Sequence, residues 1–475
     1  MKKLFTNALI FLFLSFSLPG YALLQATVQN AFRSDSILKY ARLTDDYIRL
    51  VKHPDYWNNT VVGGKSRPSN IWTRGVFYEG HMALYQISPD TALFNYAYNW
   101  GKNFNWQVAY GSATSTSADD QCCGQTYLQL YQLKPSANML TGIKACLDNS
   151  IASKNYTYWW WVDAIQMAMP AYALLGTITK DTMYYDFMYK SYSNSRSTAD
   201  VTGLFNVKDG LWWRDKNFNP PIVNANGKNI YWSRGNGWAY AALTRVLAFL
   251  PKSETHYQEY LRDFKLMSAA IIACQRNDGF WNANLADTVL YAGKETSGTG
   301  LFVYGLAWGI NNGILDRTSY LNAVKKGWLA IQNDAIHPNG LLGWVQGTGD
   351  DPSDNYPFGY NIIPSFEDFG AGCVLLGAAE SWKLSKTLEK EDSIANNLGK
   401  VFVQPIQYQY RKNLFCLETT VASSLSIHQI NGQIMFQSLT SPSSETKVDL
   451  NSWPKGVYLV RIRSSKGIQT LKIMR

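Results

Sequence analysis

Residues 159–175 read Trp-Trp-Trp-Val-Asp-Ala-Ile-Gln-Met-Ala-Met-Pro-Ala-Tyr-Ala-Leu-Leu. From Asp163 onward the stretch is apolar on nearly every side. A helix of that kind is buried inside a larger fold, whereas an amphipathic one lies on its surface. Residues 75–85, 124–133, 235–250, 298–310 and 370–384 read the same way, each opened by a glycine. Between these six stretches lie more polar, amphipathic ones. Five are opened by turn and cap signals: Ser88-Pro89-Asp90, Pro135-Ser136, Thr179-Lys180-Asp181, Pro251-Lys252-Ser253 and Asp316-Arg317-Thr318. Residues 34–51 supply a sixth. Six buried and six outer helices in alternation predict an all-α (α/α)6 barrel.

The alternation has a geometric consequence. Each inner helix turns quickly into an outer one, and each outer helix returns through a longer segment. All the long segments then meet at one mouth, where the inner helices begin. That mouth gathers Asp119, Asp120, Trp159–Asp163, Trp212–Asp215, Arg234, Trp238 and Glu295. Loops displayed by a rigid scaffold are where chemistry usually sits. An Asp beside three tryptophans is poorly solvated, which raises its pKa toward the range of a proton donor. Flat apolar rings are also surfaces on which a sugar face stacks. Each acid taken alone reads equally well as a helix cap; their convergence at one end favours chemistry.

Composition bounds the class. The chain has 475 residues, 14% aromatics and 17 Trp. Residues 1–22 resemble a secretory signal peptide: Lys2 and Lys3, an apolar run over 9–18, then Gly20-Tyr21-Ala22. The run is short for a membrane span, and no later stretch is long and apolar enough, so an exported protein without a transmembrane segment is expected. The net charge of +9 is unevenly placed. Residues 401–475 hold nine Lys/Arg against three Asp/Glu, and the leader adds two Lys, which leaves the body near +1. Nucleic acid is therefore not an expected partner. The six cysteines (Cys122, Cys123, Cys146, Cys274, Cys373 and Cys416) and five histidines lack metal-ligand or redox spacing. No metal is expected. Without a Gly-x-Gly-x-x-Gly or a phosphate loop, no nucleotide cofactor is expected either.

After Lys400 the texture changes to short alternating runs, at 424–430, 432–437, 447–450 and 457–462. They are separated by turns at Asn431-Gly432, Pro454-Lys455-Gly456 and Ser465-Lys466-Gly467. Period-two alternation of this kind predicts a small antiparallel β-sandwich. The expected organisation is a leader over 1–22, a barrel over 23–400 and a sandwich over 401–475, with the last boundary between 395 and 420.

The mouth residues resemble the unsaturated glycuronyl hydrolases, glycoside hydrolase families 88 and 105, and are closer to the rhamnogalacturonyl branch. The matching stretches are Trp72-Thr73-Arg74-Gly75, Ala118-Asp119-Asp120, Gly124-Gln125, Trp159 to Asp163, Leu211-Trp212-Trp213-Arg214-Asp215, Trp232-Ser233-Arg234-Gly235-Asn236-Gly237-Trp238 and Glu295-Thr296-Ser297-Gly298-Thr299. The resemblance implies an oligosaccharide substrate ending in a 4,5-unsaturated uronic acid, whose C4=C5 vinyl ether is hydrated. It makes Asp163 the proton donor and Asp119 the second acid, with Asp120 its competitor. Arg234 and Trp238 fall at substrate-contacting positions. Trp72, Trp161, Trp213 and Arg214 join them as candidate substrate contacts. Arg214 stands where some relatives carry His, which points to a different neighbouring sugar. The C-terminal segment resembles a type IX secretion sorting domain through Ile430-Asn431-Gly432-Gln433, Trp453-Pro454-Lys455-Gly456-Val457-Tyr458 and Leu471-Lys472-Ile473. It lacks the usual Asn-Pro opening. The resemblance implies a secretion machinery as partner and a secreted or cell-surface protein. A uronate needs a cationic or multi-donor partner in a partly dry site; Arg234 is the first candidate and Arg214 the second. Two other readings stand beside this one: a conventional inverting glycosidase on the same barrel, and a glycan-binding surface protein without catalysis.

Overall fold

A computed structural model describes residues 32–475 except 56–59, 63–64, 199–202, 221, 357, 363–367, 401–406, 420 and 466. The expected leader, residues 1–22, lies outside the described residues. Twelve long helices follow in order. The outer ones are α1 (Ser34–Asp46), α3 (Thr91–Asn103), α5 (Asn138–Ser153), α7 (Met183–Ser193), α9 (Tyr257–Ala273) and α11 (Arg317–Ala330). The inner ones are α2 (Trp72–Ile87), α4 (Cys123–Leu133), α6 (Val162–Thr179), α8 (Ser233–Phe249), α10 (Thr296–Asn311) and α12 (Asp368–Lys400). They form an (α/α)6 barrel.

Burial separates the two sets as the patterning requires. In α10 every residue from Thr296 to Ile310 is buried. In α11 only Ala323, Val324, Gly327, Trp328 and Ala330 are. The inner ring runs α2–α4–α6–α8–α10 by direct packing. Small residues close it. Gly372 of α12 lies against the Val76 carbonyl of α2, and Gly300 of α10 lies against the Cys373 carbonyl. A side chain at either glycine would meet backbone, so these helices approach only because Cβ is absent.

Most expected helix bounds agree within two or three residues. The difference is α12, which runs sixteen residues past Leu384 to Lys400. Its second half carries Leu388, Leu398, Glu389, Glu391 and several Lys, so helix propensity continues after the apolar run stops. The first outer helix also changes at Tyr47 into a π-helical turn that ends at Lys52.

The long returns to the mouth carry two small hairpins, β1 (Thr60–Val62) with β2 (Lys65–Arg67), and β3 (Phe205–Asn206) with β4 (Leu211–Trp212). The chain divides into two compact units, 1–386 and 387–475. The second holds β5 (Gln407–Arg411), β6 (Leu414–Glu418), β7 (Ser423–Gln429), β8 (Ile434–Thr440), β9 (Glu445–Asp449), β10 (Val457–Ser464) and β11 (Gly467–Met474). They form antiparallel sheets of order β11-β10-β7-β8 and β5-β6-β9. Inward residues of both sheets, among them Phe415, Leu417, Leu425, Ile427, Val448, Val460 and Ile462, make one core. The first two strands were not legible as alternating runs. No described helix is long and apolar enough to cross a membrane.

Candidate active site

The three tryptophans precede α6, whose first residue is Val162, and they diverge. Trp159 is buried against Tyr172, with ring centroids 5.7 Å apart. Trp160 is 53% exposed, and Trp161 is half-buried beside it, with centroids 4.7 Å apart. Asp163 follows in the first turn of α6. Its side chain keeps 14% of its surface open. Its Oδ2 is buried and has no hydrogen-bond partner among the described residues. Burial pushes the pKa of Asp163 up, against the opposing pull of Arg214 and then Arg234.

Arg214 stands over this carboxylate. Its Nε lies 3.5 Å from Asp163 Oδ2. Its Nη1 donates to Asp215 Oδ2 at 2.5 Å and lies 3.8 Å from Asp350 Oδ2. The guanidinium rests 5.6 Å from the Trp160 ring centroid, a cation–π contact. The Arg214 carbonyl accepts from the Val162 N–H at 2.8 Å, which ties the segment after β4 to the start of α6.

The expected second acids sit in a single helical turn, Ala118–Gln121, before α4. Neither is its cap. Burial, then the charges of Asp163 and Asp120, push Asp119 up to about 7. Asp120 accepts from Ser115 Oγ at 2.6 Å. Its pKa is raised by burial and eased by that bond. Of the two, only Asp119 has Asp163 among the charges that perturb it.

Arg234 is placed differently from the expectation of a substrate-facing cation. It is buried at 1% exposure. Its Nη1 donates to the Gln346 carbonyl at 2.7 Å and its Nη2 to the Gly347 carbonyl at 2.6 Å. The guanidinium lies between Trp232 and Phe369, 4.5 and 4.9 Å from their centroids. Trp238 is fully buried, edge-on to the half-buried Trp72 at 6.3 Å. Trp213 is buried against Tyr231. Among the described residues the indole N–H groups of Trp213 and Trp238 have no partner. Glu295 caps α10: its oxygens accept from Ser297 N, Ser297 Oγ, Gly298 N and Gln346 N. Of the expected residues, the structure brings Asp163, Asp119, Arg214 and Trp161 together, with Trp160 added. Arg234, Trp238 and Trp213 are buried in the surrounding packing.

A buried polar layer lies beneath. Pro170 has no N–H to give the Gln166 carbonyl, and Gln125 Nε2 donates to that carbonyl instead, at 2.7 Å. Gln166 Nε2 donates to Glu79 Oε2 at 2.8 Å, and Arg245 Nε donates to Gln125 Oε1 at 2.9 Å. Burial pushes Glu79 up to about 7. The Cys122 thiol is 3.5 Å from Glu79 Oε1, so it serves as a weak donor in this layer. Glu79 and Arg245 sit in helices whose apolar pattern hid them. The carboxylates of Asp350, Asp351 and Asp354 approach one another within 4.8 Å at the mouth. Asp354 Oδ2 accepts from the Asp350 and Asp351 N–H groups, which folds the loop on itself.

The chain matches known proteins over both parts. Residues 46–385 match the Glycosyl Hydrolase Family 88 model, and residues 406–474 match the secretion system C-terminal sorting domain. An unsaturated 3S-rhamnoglycuronyl hydrolase from Formosa agariphila is 33% identical over 340 residues, 66% of this chain and 85% of that one. A solved glycosyl hydrolase family 88 structure from Bacteroides vulgatus superposes with a TM-score of 0.67 and 28% identity, covering 74% of this chain and 99% of the other. A structure named as a polysaccharide lyase is as similar, with a TM-score of 0.67 and 28% identity over 75% of this chain and 98% of that one. The sorting domain indicates export or attachment at the cell surface.

Proposed function

The chain belongs to glycosyl hydrolase family 88, and we propose that it removes a 4,5-unsaturated uronic acid from the non-reducing end of lyase-generated oligosaccharides by hydrating the C4=C5 vinyl ether. The neighbouring sugar would be of rhamnogalacturonan type or related to it, as the rhamnoglycuronyl name of the Formosa agariphila relative suggests. The observation that carries the reading is the state of Asp163: buried, raised in pKa, and with one oxygen lacking a hydrogen-bond partner among the described residues. A raised pKa favours the protonated carboxyl, and the unpaired oxygen leaves a direction in which to give the proton.

The steps balance. Asp163 gives its proton to C4, and the double-bond electrons form the new C4–H bond. Positive charge develops at C5 and spreads onto the ring oxygen. Water adds at C5 and yields a proton to Asp119. The resulting hemiketal opens to a ketone at C5, C1 becomes a hemiacetal, and its collapse frees the neighbouring sugar. Burial, then the charges of Asp163 and Asp120, raise Asp119 to about 7, and burial raises Asp163. The proton that Asp163 gives to C4 is matched by the one that Asp119 takes from water, so the steps conserve charge.

Arg214 replaces Arg234 as the first candidate for the uronate carboxylate. Both Nη groups of Arg234 already serve backbone carbonyls. Arg214 keeps 16% of its side chain open at the mouth, whereas Arg234 is buried. Inner-helix N-termini point the same way and favour an anion. The exposed face of Trp160 offers a stacking platform to the next sugar. The sandwich domain is read as the address recognised by a type IX secretion machinery.

A screen of lyase-generated oligosaccharides tests the reading. Hydration consumes the conjugated double bond, so ultraviolet absorbance should fall. The likeness to a protein named as a lyase favours a second reading, cleavage of the intact polymer. That activity would create the double bond, and absorbance would rise.

A further inference from the structure

Arg214 belongs to none of the twelve helices. It sits two residues past the end of a hairpin whose strands, β3 and β4, are two residues each. A ladder that short does not fix a side chain by itself. The carboxamide of Asn236, a fully buried residue of α8, supplies the missing constraint. Its Oδ1 accepts from the Trp212 N–H at 2.8 Å, and its Nδ2 donates to the Trp212 carbonyl at 3.0 Å. The same Nδ2 donates to the Trp232 carbonyl at 3.0 Å. One side chain thus holds both backbone groups of a residue two positions before Arg214. On the other side, the Arg214 carbonyl is held by the Val162 N–H, one residue before Asp163.

We propose that Asn236 is a positioning residue that sets Arg214 over Asp163 by clamping Trp212. The inference rests on the reading of Asp163 and Arg214 given above. The clamp needs a donor and an acceptor on one short side chain. Asp keeps the shape and loses the donor, and its carboxylate would then face two carbonyl oxygens in a buried place. Displacing Arg214 has a predictable electrostatic consequence. Its charge lowers the pKa of both Asp163 and Asp119, so its withdrawal raises them.

The test is a double-mutant cycle read with pH profiles. Asn236→Ala should lower kcat/KM by about 10- to 100-fold, the scale of a displaced catalytic geometry. It should also move the alkaline limb of the profile upward, and Arg214→Gln should do the same. In the Arg214→Gln background the same change should cost less than about threefold, because the residue it acts through is gone. If Asn236→Ala does not fold, Asn236→Asp is read in the same cycle. Costs that multiply, or a profile left in place, would overturn the clamp. The two readings fail separately. Full activity of Arg214→Gln would sink the Arg214 assignment and the clamp with it. A crippled Arg214→Gln with multiplicative costs would sink the clamp alone.

Discussion

Asp163 and Asp368 both open an inner helix, and the protein treats them in opposite ways. Asp368 is 2% exposed. Its oxygens meet His53 Nε2 at 3.0 and 3.2 Å, Arg74 Nε at 3.2 Å and Lys52 Nζ at 3.5 Å. Burial pushes its pKa up, but His53, Lys52 and Arg74 outweigh that and hold it well below the usual carboxylate range. Asp163 has one guanidinium at 3.5 Å, shared with Asp215 and Asp350, and its pKa goes up. The helix dipole acts on both, so it does not decide the outcome. The number and commitment of the cations do. A carboxylate held by Arg74, Lys52 and the His53 ring is a fastener between α2, α12 and the end of the first outer segment. A carboxylate with a fraction of one guanidinium is available for proton transfer.

Exchanging each acid for its amide should separate the two roles. Asp163→Asn preserves shape and removes the proton, so turnover of an unsaturated disaccharide should fall by about 10²–10⁴. Its melting temperature should stay near that of wild type. Asp368→Asn should do the reverse. Arg74, Lys52 and the His53 ring lose their anion, at a cost of about 3–5 kcal/mol in denaturant unfolding. The folded fraction should turn over within about threefold of wild type. Equal activity losses in the two variants would erase the distinction.

Asp119→Asn sharpens the comparison from the stability side. The folded protein holds the Asp119 proton up to about 7, and the unfolded chain releases it near the ordinary value of about 4. Between those limits the folded state binds more protons, so stability falls as pH rises. Asp119→Asn removes that loss. It should raise the melting temperature at about pH 8, change it little at about pH 4, and impair turnover at both. Asp120→Asn, whose carboxyl is held by Ser115, should impair turnover less.

The smallest effect is expected from the tail. A chain ending near Lys400 should keep its fold and its turnover in vitro, since a barrel of this size buries a core of its own. The same truncation should abolish export in the native host. Unfolding of the shortened protein would show that the sandwich braces the barrel, and normal export would remove its sorting role.

The barrel was legible because all-round apolarity in α6 or α10 admits one environment only. The residues at the mouth were legible because the alternation of helices dictates where the long returns meet. What the sequence withheld was how each cation is used. Arg214 and Arg234 both stand beside tryptophans, but only coordinates reveal that Arg234 is consumed by the carbonyls of Gln346 and Gly347, more than a hundred residues away. The Asp368 cluster was equally invisible, since it joins residues separated by about three hundred positions. Asn236 stood in plain view inside a quoted motif, yet its clamp depends on a hairpin too short to announce itself by alternation. The divergence of the tryptophan triplet was not legible either: it precedes the helix, as its reading from Asp163 onward required, but Trp159 is buried while Trp160 is 53% exposed.

The central claim, that Asp163 protonates a double bond and leaves the glycosidic bond to break afterwards, has a direct measurement. An unsaturated uronide in which carbon replaces the glycosidic oxygen has no bond for a conventional glycosidase to cut. The account predicts that wild-type enzyme still consumes its ultraviolet absorbance, takes up solvent deuterium at C4, and loses both activities in Asp163→Asn. Persistence of the double bond in that analogue, while the oxygen-linked substrate is cleaved, would contradict it.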